Sequence, residues 1–264
     1  MNGRALQDEI IRYLSDAHLR NEPQKTLQLK GEEAGKAKRF ARFLARRYYR
    51  DRLIRSFRYS RAFTDRTDRR AEEICEREVF GAFLDQCVLG SVESARRVGE
   101  IAVAHFSPGQ SLFPWWSELT AYEYAHFLQT ATTARAQPGP RRRRSPSAIC
   151  LGFEWALPEM LPRLRKGEAV GEEFRRGVTL LFSRTHMGKI YVVELDKSTA
   201  AAFGAIDGER TVEKVAEAAG ATTQQAEEAL SSLAQVGALE PPADSPRGIG
   251  VLRLRSAYAS LRSG

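Results

Sequence analysis

The chain has 264 residues, with 41 Lys and Arg against 33 Asp and Glu for a net charge of +8. That length accommodates two domains, and three cysteines without paired spacing suit a reducing cytosol better than a disulfide scaffold. No run approaches the roughly twenty apolar residues that span a bilayer, and Asp8, Glu9, Arg12 and Asp16 interrupt the first twenty residues where a secretory signal would lie. The expectation is a cytoplasmic protein with no membrane partner.

Everything before residue 135 predicts helix. Ala5–Leu19 carries Leu6, Ile10, Tyr13, Leu14 and Ala17 at helical spacing. From Glu32 to about Phe63, the spacing predicts an amphipathic helix with Ala37, Phe40, Ala41, Leu44 and Tyr48 on one face and Arg39, Arg42, Arg46 and Arg50 opposite. Arg70–Leu89 places Ile74, Val79, Phe80, Phe83, Leu84 and Cys87 in register, and Ser91–Phe106 does the same for Val92, Ala95, Val98, Ile101, Ala102 and His105. Pro114 suits a helix start, and Trp116, Leu119, Tyr122, Ala125 and Phe127 mark a helix from Trp115 to Thr133. An all-α bundle of about five helices over 1–135 is the economical expectation. A linker over 136–147 follows, with Gln137-Pro-Gly-Pro140, the run Arg141–Arg144 and Ser145-Pro146.

The segment 148–264 contains a different signal, so the fold class expected is α+β. In Gly177–Thr185, Val178, Leu180 and Phe182 alternate with Thr179, Leu181 and Ser183, the period of a half-buried strand. Lys189–Asp196 is β-branched and aromatic, with Ile190, Val192 and Glu194 on one face and Tyr191, Val193 and Leu195 on the other. The two runs predict a hairpin turning at His186-Met187-Gly188. Three short helices follow. Ser198 or Thr199 caps the first, ending near Ile206. Thr211 caps Val212–Ala219, which Gly220 stops. Thr222 and Gln225 have capping-box spacing for a third helix carrying Ala226, Ala229, Leu230, Leu233 and Val236, which Gly237 ends before Pro241-Pro242. A hairpin plus three helices describes a winged-helix-like domain.

Such domains grip a DNA groove or an extended peptide. Gly171–Ala243 holds eleven acidic residues against seven basic ones, and the third helix carries Glu227 and Glu228 with no Lys or Arg. Phosphate neutralisation supplies most non-specific DNA affinity, so these charges argue against DNA and for strand addition of a peptide. The stretch Glu194-Leu-Asp-Lys-Ser-Thr-Ala-Ala-Ala-Phe-Gly-Ala-Ile-Asp-Gly-Glu-Arg-Thr-Val212, continuing through Val215-Ala216, Leu230, Leu233 and Gly237-Ala-Leu-Glu240, resembles the PqqD-type precursor-peptide recognition element. The resemblance implies binding of the leader of a ribosomally made, modified peptide, with Lys189, Ile190, Tyr191, Val192, Val193, Glu194 and Leu195 as the receiving strand and Leu230 and Leu233 of the third helix as apolar contacts.

A second resemblance lies in Pro114-Trp-Trp-Ser-Glu-Leu-Thr-Ala-Tyr-Glu-Tyr-Ala-His-Phe127, which is similar to the Leu-Ala-x-x-Glu-aromatic-Ala helix of HvfC/BufC-type proteins. Leu119, Glu123, Tyr124 and Ala125 match and Thr120 departs. Helical domain, basic linker and PqqD-like domain in this order resemble the partner subunits of methanobactin biosynthesis (MbnC-like) and of 3-thiaglutamate biosynthesis (TglI-like); the latter is the working expectation. The resemblance implies a TIM-barrel multinuclear iron oxidase as catalytic partner. That partner would hold the iron and modify a cysteine of the precursor, while this chain, without a cofactor of its own, binds the leader and docks. Trp115, Trp116, Glu118 and Tyr122 are the candidate docking residues, an exposed tryptophan beside Pro114 being a natural anchor; plain core packing is the equal alternative for the two tryptophans.

The chain's own chemistry agrees with a non-catalytic role. His18, His105, His126 and His186, with Cys75, Cys87 and Cys150, form no Cys-x-x-Cys or His-Glu-x-x-His spacing. No Walker-type loop or nucleophile elbow appears, and Glu118 and Glu123, five apart, do not share a helix face. Residues 36–70 hold fourteen Lys or Arg against three Asp. A solvated face and an electrostatic partner site both account for this. Phe40, Phe43, Tyr48, Tyr49, Phe57 and Tyr59 interleave with the arginines as in a single-strand binder, but all except Phe43 fall on the expected apolar face, which argues against nucleic acid. The rival function is a winged-helix DNA- or RNA-binding regulator using that Arg-rich helix.

Overall fold

The computed structural model describes residues 3–21, 32–107, 113–133, 142–185 and 187–240, and divides into two compact units, Met1–Thr133 and Ala134–Gly264. Leu6 side-chain packing, Gln137–Pro140, Arg141, His186 and Pro241-Pro242 lie outside the described residues.

The first unit is helical throughout. Helix α1 (Gly3–Ser15) stops at Asp16, which bridges antiparallel to Val88, and α2 (Ala17–Asn21) resumes after it. The expected single helix is thus two. Helix α3 (Glu32–Ser56) is the longest. Its buried stripe is Ala41, Ala45, Tyr49, Leu53 and Ser56, rotated from the expected one, and Phe40 is 51% exposed. The stripe is chosen by shape: the two alanines let α3 approach its neighbours closely, with Tyr49 meeting Phe83 edge-on at 5.6 Å. Phe57 breaks the helix, and α4 (Arg58–Ala62) and α5 (Thr64–Thr67) follow.

Arg70–Leu89 is not one helix. A 3-10 turn over Ala71–Glu76 ends at extended Arg77, and α6 (Glu78–Leu84) begins after it. Cys75 and Cys87 are therefore on separate elements, both buried, and Val79 is half exposed. Helix α7 (Val92–Phe106) is capped by Ser91, whose side chain accepts from the Ser94 N–H at 3.1 Å. Helix α8 (Trp116–Ala131) is the unit's axis. Its last carbonyls, which no helical N–H reaches, receive the Tyr48 hydroxyl at Ala131 and Arg52 Nε at Thr130, both at 3.0 Å.

The second unit contains the three-stranded antiparallel sheet β1 (Ile149–Phe153), β2 (Val178–Arg184) and β3 (Ile190–Leu195), in that order. The hairpin β2–β3 matches the sequence expectation; β1 and α9 (Leu157–Arg165) were not anticipated. Arg143–Ser147, placed by composition in the linker, packs within this unit. Arg144 bridges to Leu239, the Ser145 N–H donates to Ala238 O and the Glu240 N–H to Arg143 O, each at 2.8 Å, and Ser145 and Ser147 are buried.

Helices α10 (Lys197–Ala205), α11 (Val212–Ala219) and α12 (Thr223–Gln235) complete the unit. The cap of α10 is Asp196, not Ser198 or Thr199: its carboxylate accepts from the Thr199 N–H at 2.8 Å and from both hydroxyls, which holds its pKa below the usual carboxylate value. Thr222 and Gln225 form the expected capping box. Gly237 adopts φ +78°, and a Cβ there would meet Arg184 O at 2.5 Å, so only glycine turns the chain past the end of β2.

Candidate functional site

Among the described residues strand β3 is an edge of the sheet, paired on one side only. Its register with β2 is unbroken from Thr179↔Leu195 to Arg184↔Ile190, and the Thr185 N–H donates to Lys189 O at 2.9 Å to close the hairpin. Hydrogen-bonded and non-hydrogen-bonded pairs alternate in an antiparallel ladder. The 185/189 pair is of the first kind, so Tyr191, Val193 and Leu195 are as well. The N–H and C=O groups of Ile190, Val192 and Glu194 then point away from β2, toward the open edge. That is a row of three donors and three acceptors of the type an added strand pairs with.

Side chains divide the other way. Tyr191, Val193 and Leu195 pack on the helical face, in the core with Leu181, Phe203, Ile206, Leu230, Leu233 and Val236. Leu230 and Leu233 are each 2% exposed. They hold α12 against the sheet and are closed to any ligand, which corrects their expected role as peptide contacts. Beside the edge, Lys189 Nζ lies 4.7 Å from the Tyr191 ring centroid, and Arg176 joins Glu194 at 3.0 Å to Glu159 of α9 at 2.6 Å. The opposite edge, β1, is one residue shorter and carries Gly152, which offers no side chain to a neighbour.

The expected docking residues fall in the first unit. Trp115 and Trp116 are 3% and 2% exposed. Trp115 stacks on Phe113 with centroids 4.6 Å apart, and Trp116 Nε1 donates to Phe106 O at 2.8 Å. Both are core residues, so neither presents an anchor. Glu118 and Tyr122 are half-buried on α8; burial raises the Tyr122 pKa, with Tyr59 adding to the effect and Arg58 opposing it.

One residue that sequence reading placed only in a motif proves central to the unit. Glu123 is fully buried and sits at the start of α4, where its Oε1 accepts the Tyr59 N–H at 2.6 Å. The Ser60 N–H bonds both oxygens at 3.3 and 3.2 Å, and the Ser60 hydroxyl donates to Oε2. Burial pushes its pKa to about 8, against the pull of these donors. One turn on, burial lowers His126 to about 4, Arg58 adding to the shift. His105 is held by Arg70 O at 2.9 Å and, at 3.7 Å, Glu73; burial lowers its pKa. Burial raises Cys75 to about 11 and Cys150 above its ordinary value, which leaves them thiols at neutral pH.

Among the described residues no group of three or more His, Cys, Asp or Glu could hold a metal ion, and no helix is long and apolar enough to cross a membrane. Comparison with protein-family models and with curated proteins gave no match for this chain.

Proposed function

We propose that this chain is a non-catalytic peptide-binding subunit: it captures the leader of a ribosomally made precursor by strand addition at β3. It then presents the precursor's cysteine to a separate iron-dependent TIM-barrel oxidase, as in 3-thiaglutamate-like biosynthesis. The second unit serves as a winged-helix-like recognition domain. The observation that carries the reading is the open edge of β3, with the backbone of Ile190, Val192 and Glu194 turned outward. The acidic third helix supports it further, because Glu227 and Glu228 are exposed on α12 and would repel a phosphate backbone. Tethering a leader raises the effective concentration of the reacting cysteine at the partner's iron, which gives such a subunit a use without chemistry of its own.

The test is fluorescence anisotropy with labelled leader peptides of cysteine-containing ribosomal precursors. Val192→Pro removes one outward donor and leaves every β2–β3 bond in place. Binding about tenfold weaker in a variant with unchanged circular dichroism is the expected result. Unchanged binding by folded Val192→Pro rejects strand addition at this edge.

A further inference from the structure

The outer face of α3 is not the solvated stripe that its charge alone suggests. Lys36, Phe40, Phe43, Arg47 and Arg50 follow one another at three- and four-residue steps, the line of a single helix face. It lies opposite the buried stripe of Ala41, Ala45, Tyr49 and Leu53. Phe40 and Phe43 are 51% and 56% exposed, and their rings are stacked, 19° from parallel with centroids 6.4 Å apart. Around them, Arg39, Arg46, Arg47 and Arg50 make no ion pair among the described residues, whereas Lys36, Lys38 and Arg42 do. Exposed rings and unneutralised arginines on one face cost the isolated protein solvation and charge repulsion without a return.

We infer that this face binds single-stranded nucleic acid. The expectation against it rested on the aromatics being core, and Phe40 is not. The charge pattern separates the possible occupants. Protein interfaces gather apolar residues at the centre and are depleted of charge there, but here each phenylalanine is bordered by cations. A single strand carries one anion for every stacking base, so two adjacent rings flanked by cations along the helix suit it. A duplex keeps its bases stacked on one another and offers these rings nothing. A bilayer surface asks for a broad apolar face, and two rings do not make one. The inference concerns the first unit and is independent of peptide capture by the second.

The experiment is anisotropy of the full chain with a fluorescein-labelled oligothymidylate of about fifteen nucleotides, beside a duplex of equal length, between about 50 and 200 mM salt. The single strand should bind more tightly than the duplex, with affinity falling steeply as salt rises. Phe40→Ala/Phe43→Ala should weaken binding roughly 30-fold or more, at an unchanged salt slope. Arg47→Gln/Arg50→Gln should make the slope shallower by about 1.4. All four side chains are on the exposed face, and circular dichroism confirms the fold of each variant. Absence of binding at low salt, equal or tighter binding of duplex, or wild-type affinity in the double phenylalanine variant each overturns the proposal. Equal competition by polyglutamate at matched charge also overturns it, and marks the face as a docking surface for acidic proteins.

Discussion

At the scale of single residues, Glu123 shows how a carboxylate can be fully buried and still be structural. Helix α4 begins at a break after Phe57, and the N–H groups of Tyr59 and Ser60 have no helical partner. A long side chain from α8 supplies the acceptor that the local sequence lacks, Phe57 having no oxygen to offer. Its folded pKa of about 8 lies above the ordinary carboxylate value, so the folded state holds a proton that the unfolded chain has released. This contribution to stability is full below about pH 4.5 and is lost as pH rises toward 8. His126 and His105 work in the opposite sense: both are lowered, so their contribution is present above their unfolded pKa and is lost on acidification. Between about pH 7.5 and 8 the histidines are largely neutral in both states and Glu123 dominates the slope of the three. Stability measured by urea unfolding should fall across that window. Glu123→Gln should lose about 1–3 kcal/mol at the low end and flatten the fall. A Gln variant with the wild-type slope would place the titration elsewhere.

At the scale of elements, α12 turns the face that its sequence offers to a ligand into the protein's own core. The apolar spacing of Leu230 and Leu233 marks a buried face but does not say whether a ligand or the protein's own sheet buries it; the sheet does. Leu233→Ala should therefore cost about 2–5 kcal/mol of stability through a cavity, read as a lower urea midpoint, with leader affinity intact wherever the protein is folded. A loss of affinity at unchanged stability would return Leu233 to the site. Proline separates the two sides of β3 in the same way. Val193→Pro breaks a bond to Leu181 within the ladder and should unfold the hairpin, whereas Val192→Pro touches only the open edge. The hairpin, α11, α12 and the α12 capping box were legible because periodicity, turn residues and caps agree there. Strand β1 was not: Ile149–Phe153 has no polar alternation and follows the arginine run, and its pairing with β2 is non-local information. The breaks at Asp16, Phe57 and Arg77 were hidden for a related reason. Those at Asp16 and Phe57 are met by tertiary contacts, Asp16 with Val88 and Glu123 with α4, and none of the three by a local proline or glycine.

At the scale of the whole molecule, charge is unevenly placed along the chain. Residues 36–70 carry fourteen Lys or Arg against three Asp, and Gly171–Ala243 carries eleven acids against seven bases. A net charge of +8 for the chain conceals both. If the acidic segment Gly171–Ala243 takes a peptide through backbone pairing and the basic face of α3 takes a polyanion, the two activities respond differently to salt. Backbone pairing exchanges neutral groups and depends on it weakly, while counterion release makes the other fall by orders of magnitude over a few-fold rise. The two surfaces should also be separable by mutation. Phe40→Ala/Phe43→Ala should leave leader binding at the wild-type level, and Val192→Pro should leave oligothymidylate binding there, in parallel anisotropy titrations of the full chain. A leader that itself binds α3 would show as a steep salt slope in the first titration and as loss in the phenylalanine variant. That outcome would mark α3 as a contact for an acidic leader and reject the independence of the two activities.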